Sequence, residues 1–151
     1  MFFFCYKKGT SLVELIAVIV IMGIIAGIAI PTTIAVINRQ KKNAVLSSAK
    51  NVLAAAKTVL MEAQSGETIS YVGTATNVTG ATYEVKIDDL VTNGELETNP
   101  ITNSDAVYIG ITSDNKFAAS AYDWTIKELN VHITVGTNGE WTFAITAAPT
   151  E

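Results

Sequence analysis

From Leu15 to Ile37 the chain runs for 23 residues without a formal charge. Apolar side chains there fall on every side of a helix rather than along one stripe, as lipid or full burial demands. At about 1.5 Å rise per residue, the segment is long enough to cross a hydrocarbon core ~30 Å thick. After Ile37 the pattern changes. Asn38-Arg39-Gln40-Lys41-Lys42-Asn43 is polar. Then Val45, Ser48, Ala49, Val52, Leu53, Ala56, Val59, Leu60 and Ala63 recur at three- and four-residue spacing, with Lys50 and Lys57 off that stripe. No helix breaker lies between Thr32 and Ser65. The spacing therefore predicts one helix over about 11–64, hydrophobic over 10–37 and amphipathic over 38–64. Gly23 and Gly27 are small, and Pro31, which lacks a backbone N–H, should kink or locally break the helix. A helix of this length spans about 80 Å, too much for a chain of this size to bury. Its N-terminal half needs another solvent or a partner.

Ser65-Gly66 ends the helical pattern, and residues 66–80 are a loop rich in Thr, Ser, Gly and Asn, with a short strand predicted over 68–72. Residues 82–87 alternate as a strand. Asp88-Asp89-Leu90-Val91-Thr92-Asn93-Gly94 reads as one helical turn, begun by an aspartate cap and stopped at Asn-Gly. Segments 106–112 and 116–122 flank Ser113-Asp114-Asn115, a predicted hairpin. Segments 131–135 and 140–146 flank Gly136-Thr137-Asn138-Gly139, a second and stronger one. Residues 65–151 thus read as a globular head with a small antiparallel sheet of about four strands. The helix stripe from Val45 to Ala63 is its natural lid, giving an α+β fold.

Composition narrows the class. The 151 residues make one modest domain. A charged fraction of 16%, against about 25% for an average soluble domain, and a hydrophobic fraction of 49% exclude a disordered, collagen-like or disulfide-dense chain. Charge is split. Lys7, Lys8, Arg39, Lys41, Lys42, Lys50 and Lys57 against Glu14 and Glu62 leave residues 1–66 at +5, whereas residues 67–151 stand at −9. An acidic head repels phosphate, so direct nucleic-acid binding is not expected; the basic residues 39–42 suit lipid headgroups. Cys5 is the only cysteine, which excludes an intramolecular disulfide and a thiolate cluster. His132 falls on the polar face of its strand and reads as a solvated side chain. Loop acids such as Asp88, Asp89, Glu95, Glu97 and Asp105 read as solvated rather than as a cation site. Asn77-Val78-Thr79 has glycan-acceptor spacing at the frequency chance gives in so Thr- and Asn-rich a loop. No nucleophile elbow, P-loop, zinc-helix motif or dinucleotide fingerprint occurs. Neither an enzyme nor a cofactor is expected.

Lys7-Lys8-Gly9 followed by Thr10-Ser11-Leu12-Val13-Glu14-Leu15-Ile16 resembles the N-terminus of a type IV prepilin: a basic leader ending in glycine, a glutamate five residues on, and an apolar helix. The likeness is strongest over residues 7–40. Leu90-Val91-Thr92-Asn93-Gly94-Glu95-Leu96 with Pro100 is similar to the short helix, glycine and proline of Gram-positive pilins and secretion pseudopilins. The resemblance implies a pilin-like fold. It further implies a leader, residues 1–9, removed by prepilin peptidase between Gly9 and Thr10, and N-methylation of Thr10. Where family members usually carry phenylalanine or methionine, this chain has Thr10. Glu14 is implied to meet the amino terminus of a neighbouring subunit, and Gly23 and Pro31 to break the helix within a filament. The implied life history is a single-pass membrane protein with its head outside, handed by an assembly platform into a helical homo-oligomeric filament at the cell surface. The same N-terminus serves pili and the pseudopili of type II secretion and competence DNA uptake.

Two alternatives stand beside these readings. Ser11-x-x-Glu14 has the spacing of a capping box, so Glu14 could serve its own helix. Lys7-Lys8, the apolar run and Gly27-Ile28-Ala29 could form a secretory signal with a small-x-small cut. Against the signal, the run continues past that point and carries a glutamate at its start.

Overall fold

The computed structural model describes residues 11–103, 105–118, 121–137 and 140–147, with the backbone alone at 29–32 and 147. The first helix, α1, runs over Leu12–Gln64, within one residue of its predicted start. The helix continues without interruption through Gly23 and Pro31. A proline inside a helix removes one i→i−4 bond, and the bonds on either side keep the rest in register. The resemblance implies the break only for subunits packed in a filament. Packing divides the chain into two compact units, one ending at Lys41 and one beginning at Lys42.

In the second unit, the 42–64 part of α1 contributes the predicted stripe. Val45, Ala49, Val52, Leu53, Ala56, Val59 and Leu60 are fully buried, and Ala63 nearly so. Lys50 and Lys57 lie off that face, Lys50 holding its ammonium 5.8 Å from the centre of the Phe143 ring.

The sheet is where the expectation needs correcting. Instead of about four strands in one sheet, two three-stranded antiparallel sheets are present. The first contains β1 (Val72–Thr74), β2 (Tyr83–Lys86) and β3 (Tyr108–Ile111), in that order. The second contains β4 (Ala121–Ile126), β5 (Leu129–Val135) and β6 (Trp141–Ala147). The strand predicted over 68–72 forms slightly later, as β1. The Ser113–Asn115 turn does form, with Thr112 N–H donating to Lys116 O at 2.7 Å and Ile111 bridging to Phe117. Pairing with β3 extends only to Ala118, whose N–H bonds Gly110 O at 3.0 Å. The chain passes into the second sheet, where β4 pairs along its whole length with β5, Ala121 to Thr134 through Ile126 to Leu129. The β4–β5 turn is Lys127-Glu128, with φ of 49° and 65°. Two consecutive left-handed residues suit the twist of a two-residue hairpin, but long charged side chains rarely supply them, so nothing in the sequence signalled a turn. The β5–β6 hairpin forms as predicted, Val135 opposite Trp141.

The second helix, α2 (Ile87–Thr92), also differs in its start. Lys86 occupies the cap position with no side-chain cap bond. Burial of Ile87 and Leu90, and the Ile87 N–H bond to Val107 O at 3.0 Å, hold it in place of an aspartate cap. It ends as predicted at Asn93, with Gly94 at φ 84°. Side chains from α1, α2 and both sheets form one core, with Leu53, Leu60, Ile109, Ile126, Ile133 and Trp124 among its largest members. Leu53→Ala should lower the unfolding free energy by about 2–5 kcal/mol, through lost burial and a cavity. Denaturant unfolding followed by tryptophan fluorescence checks it; a change within error would mean that the stripe does not carry the fold.

Candidate functional site

In the first unit, α1 begins with Leu15 N–H bonded to Ser11 O at 3.1 Å, so Ser11 stands at the helix start and Glu14 in its first turn, exposed. The side chains that follow are apolar and equally exposed: Leu12 is 73% accessible, Met22 65%, Ile28 68% and Ile37 44%. A Cβ built on Gly23 or Gly27 would meet open space. The exposed Arg39, Lys41 and Lys42 close the segment. Gly9 and Thr10, the expected cleavage and methylation positions, lie outside the described residues, and of Pro31 only the backbone is described. Chemically the segment is a helix with its backbone satisfied, an apolar surface on all sides, one carboxylate at one end and three cations at the other. It is long and apolar enough to cross a membrane.

In the second unit the most elaborate polar arrangement centres on Glu84, which sequence reasoning missed. β2 is the middle strand of its sheet, and both of its faces are covered. Val85 points into the core, while Glu84, only 6% accessible, points under the loop 75–82. Its carboxylate accepts hydrogen bonds from Asn77 N–H (2.8 Å), Val78 N–H (2.9 Å), Asn77 Nδ2 (2.6 Å) and Thr76 Oγ1 (3.0 Å). Burial pushes the Glu84 pKa up, but the donors from Thr76, Asn77 and Val78 outweigh it and hold the pKa below the usual carboxylate range. The same loop presses on β3 at Gly110, where a Cβ would come 2.5 Å from Ala81 Cβ. Glu84 and Gly110 together clamp the loop to the sheet. The glycan-acceptor spacing loses its meaning here, because the Asn77 amide is held by Glu84 and by Thr76 Oγ1.

The other candidate groups are scattered. Asp88 accepts from Asn99 Nδ2 at 2.8 Å and pairs with Lys86 at 3.1 Å, which together hold its carboxyl below the ordinary range. His132 meets Asp123 across the β4–β5 pair, Nδ1 to Oδ1 at 2.6 Å, on the exposed face where the alternation placed it. Among the described residues no three of His, Cys, Asp and Glu gather as a metal site would require. An open groove of about 760 Å³ is lined by Asn77, Asn103, Tyr108, Tyr122, Asp123 and Trp124 among others. Its amides are spent on structure, Asn77 on Glu84 and Asn103 on the β4 backbone. The exposed apolar part of α1 with Glu14 is thus the feature that the rest of the chain does not account for. Compared with protein-family models, curated proteins and solved structures, the chain matches none.

Glu84→Ala should cost about 1–3 kcal/mol, because it strands buried donors. Because the folded-state pKa of Glu84 is depressed, its contribution is complete above the unfolded-state value, near 4.3, and is lost as pH falls through the folded value. Melting temperatures measured from pH 7 to pH 3 should show a steeper acid loss for the natural chain than for Glu84→Gln. Parallel curves would mean that the carboxylate is not what the loop needs.

Proposed function

We propose that this chain is a pilin, a structural subunit of a type IV pilus-like filament, made as a membrane-inserted prepilin and assembled through the N-terminal part of α1. The observation that carries the reading is the apolar segment of α1, exposed on every side and headed by Glu14. Burying one Leu, Ile or Val side chain is worth about 1.5–3 kcal/mol, and this segment has more than a dozen left open. Lipid removes that surface from water before assembly. Other copies of the same helix remove it afterwards, so a homo-oligomer follows from the same segment that anchors the monomer. The head outside the membrane and the later cell-surface filament belong to this reading, as do the peptidase and the assembly platform.

Glu14 gives the assembly its register. A carboxylate taken into an apolar bundle is costly unless a cation meets it. Cleavage after Gly9 would create one, the Thr10 amine, and the resemblance to type IV prepilins pairs Glu14 with that amine of a neighbouring subunit. One contact would thereby neutralise two charges and fix the axial offset between subunits. Head-to-tail contacts of this kind do not close, so they extend into a filament. Pseudopili of secretion and DNA-uptake systems use the same N-terminus, and they are the alternative role of this fold.

Intact-mass measurement of protein purified from its own membranes should show loss of residues 1–9, with a methyl group on the new terminus. An intact leader, or a cut after Ala29, would overturn the reading. Glu14→Ala should still insert in the membrane yet yield few or no filaments by electron microscopy. Normal filaments would show that the inter-subunit pairing is wrong.

A further inference from the structure

Two three-stranded sheets present four edge strands, and three of them are closed. β1 has only three residues. β3 is covered by the following chain, with Ala118 N–H bonded to Gly110 O at 3.0 Å and Phe117 bridging to Ile111. β4 is sealed from outside. Thr102 N–H donates to Thr125 O (2.8 Å), Asn103 Nδ2 donates to Asp123 O (3.0 Å), and Thr125 N–H donates to Asn103 Oδ1 (2.7 Å). Asn103 thus imitates a neighbouring strand.

Among the described residues β6 has no such cover. Gly136 N–H bonds to Glu140 O at 2.9 Å, which fixes the phase of the β5–β6 ladder. Main-chain groups of Thr142, Ala144 and Thr146 then turn toward β5, and those of Trp141, Phe143, Ile145 and Ala147 turn outward. Among the described residues none of these outward groups has a partner beyond the strand. Trp141, Phe143 and Ile145 pack their side chains against the core, while Thr142, Ala144 and Thr146 are exposed. Soluble sheets usually protect such an edge with lysine, proline, a bulge or brevity. β6 is seven residues long, carries no charge and no proline, and pairs in unbroken register.

We infer that the outer edge of β6 is a self-association site, where β6 of a second copy adds antiparallel about a two-fold axis through Ala144. The occupant follows from the edge itself. A strand without charges offers no complement to a charged peptide, whereas two copies of Trp141–Ala147 meet with no charge on either side. With the axis at Ala144 every outward main-chain group of both strands is used, Trp141 facing Ala147 and Phe143 facing Ile145. The residue at the axis, where side chains come closest, is the smallest available. Thr142 stands opposite Thr146, a favourable cross-strand pair. The two sheets become one of six strands. This contact closes on itself, so it pairs two heads. It does not depend on the filament reading.

The test uses the full chain in detergent micelles, in a Cys5→Ser background, with single cysteines introduced. Directly opposite residues of this type have Cα atoms about 4.5 Å apart, within disulfide reach. Ala144→Cys should therefore form a disulfide-linked dimer at least tenfold faster than Asn51→Cys, on an exposed turn of α1 in the same unit. Because each head is acidic, raising the salt should speed the reaction. Adding Thr142→Lys and Thr146→Lys to Ala144→Cys sets lysine against lysine and should return the rate to that of Asn51→Cys. Mixing this variant with one carrying Thr142→Glu and Thr146→Glu should restore cross-linking between the two. Equal rates for Ala144→Cys and Asn51→Cys, or no effect of the lysines, would overturn the site. A dimer formed as fast by Thr142→Cys as by Ala144→Cys would overturn the two-fold register.

Discussion

An uncharged helical run of 23 residues cannot be hidden by a chain of 151. Folded, a chain of this size buries only about two-thirds of its surface, and here that capacity is taken up by the core of the second unit. The apolar part of α1 is accordingly open on all sides. Apart from the one bond that Pro31 cannot donate, such a helix satisfies its own backbone, which is the condition for entering lipid. The same lack of polar groups makes exchange of lipid for protein nearly neutral in hydrophobic energy. Packing and the few polar contacts then decide the balance. In the proposed filament, one carboxylate at the end of the segment carries much of that decision, since it is the only acid there.

The second unit answers the opposite problem. Its stretch of α1 has one apolar stripe, and every large residue on it is buried against two small sheets. Each three-stranded sheet buries its apolar side chains in one core shared with the helix. The loop before β2 carries many polar residues and little that is apolar, so it is fixed by polar means instead. A single buried carboxylate satisfies several donors at once, and a glycine on the next strand lets the loop lie close.

How much of this was legible depended on the range of the signal. Helix periodicity is local and repeats over many turns, so α1 and its buried stripe could be read almost to the residue. The β5–β6 hairpin was legible because Gly136-Thr137-Asn138-Gly139 is a turn sequence between two alternating segments. The Lys127-Glu128 turn was not, because the left-handed conformation is imposed there by strand pairing on both sides rather than by residue type. The boundary between the two sheets was hidden for a related reason. Residues 116–122 alternate well enough to pair with either neighbour, and only the length of the β4–β5 ladder decides between them. Glu84 illustrates a third limit. A glutamate within a strand ordinarily marks the solvent face, and only the loop folded over it makes it a buried acceptor. At the exposed end of α1, Glu14 and the uncharged run were plain in the sequence, whereas Gly9 and Thr10 lie outside the described residues.

The two kinds of exposed surface on this chain differ in what they ask of a partner. The N-terminal part of α1 exposes side chains with its backbone satisfied, so lipid and protein serve equally. The edge of β6 exposes backbone with its large side chains already packed, so lipid is useless to it. Water or another strand must supply its hydrogen bonds. The opposite edge of that sheet shows that this fold can close such a surface with one asparagine and one threonine backbone. No equivalent closure exists at β6 among the described residues, although a single lysine at position 142, 144 or 146 would give one without disturbing the core. An open edge at one end of a sheet whose other end is sealed is therefore specific to its position. Strand addition there uses groups that the fold has already aligned, which lowers the conformational entropy a partner must overcome.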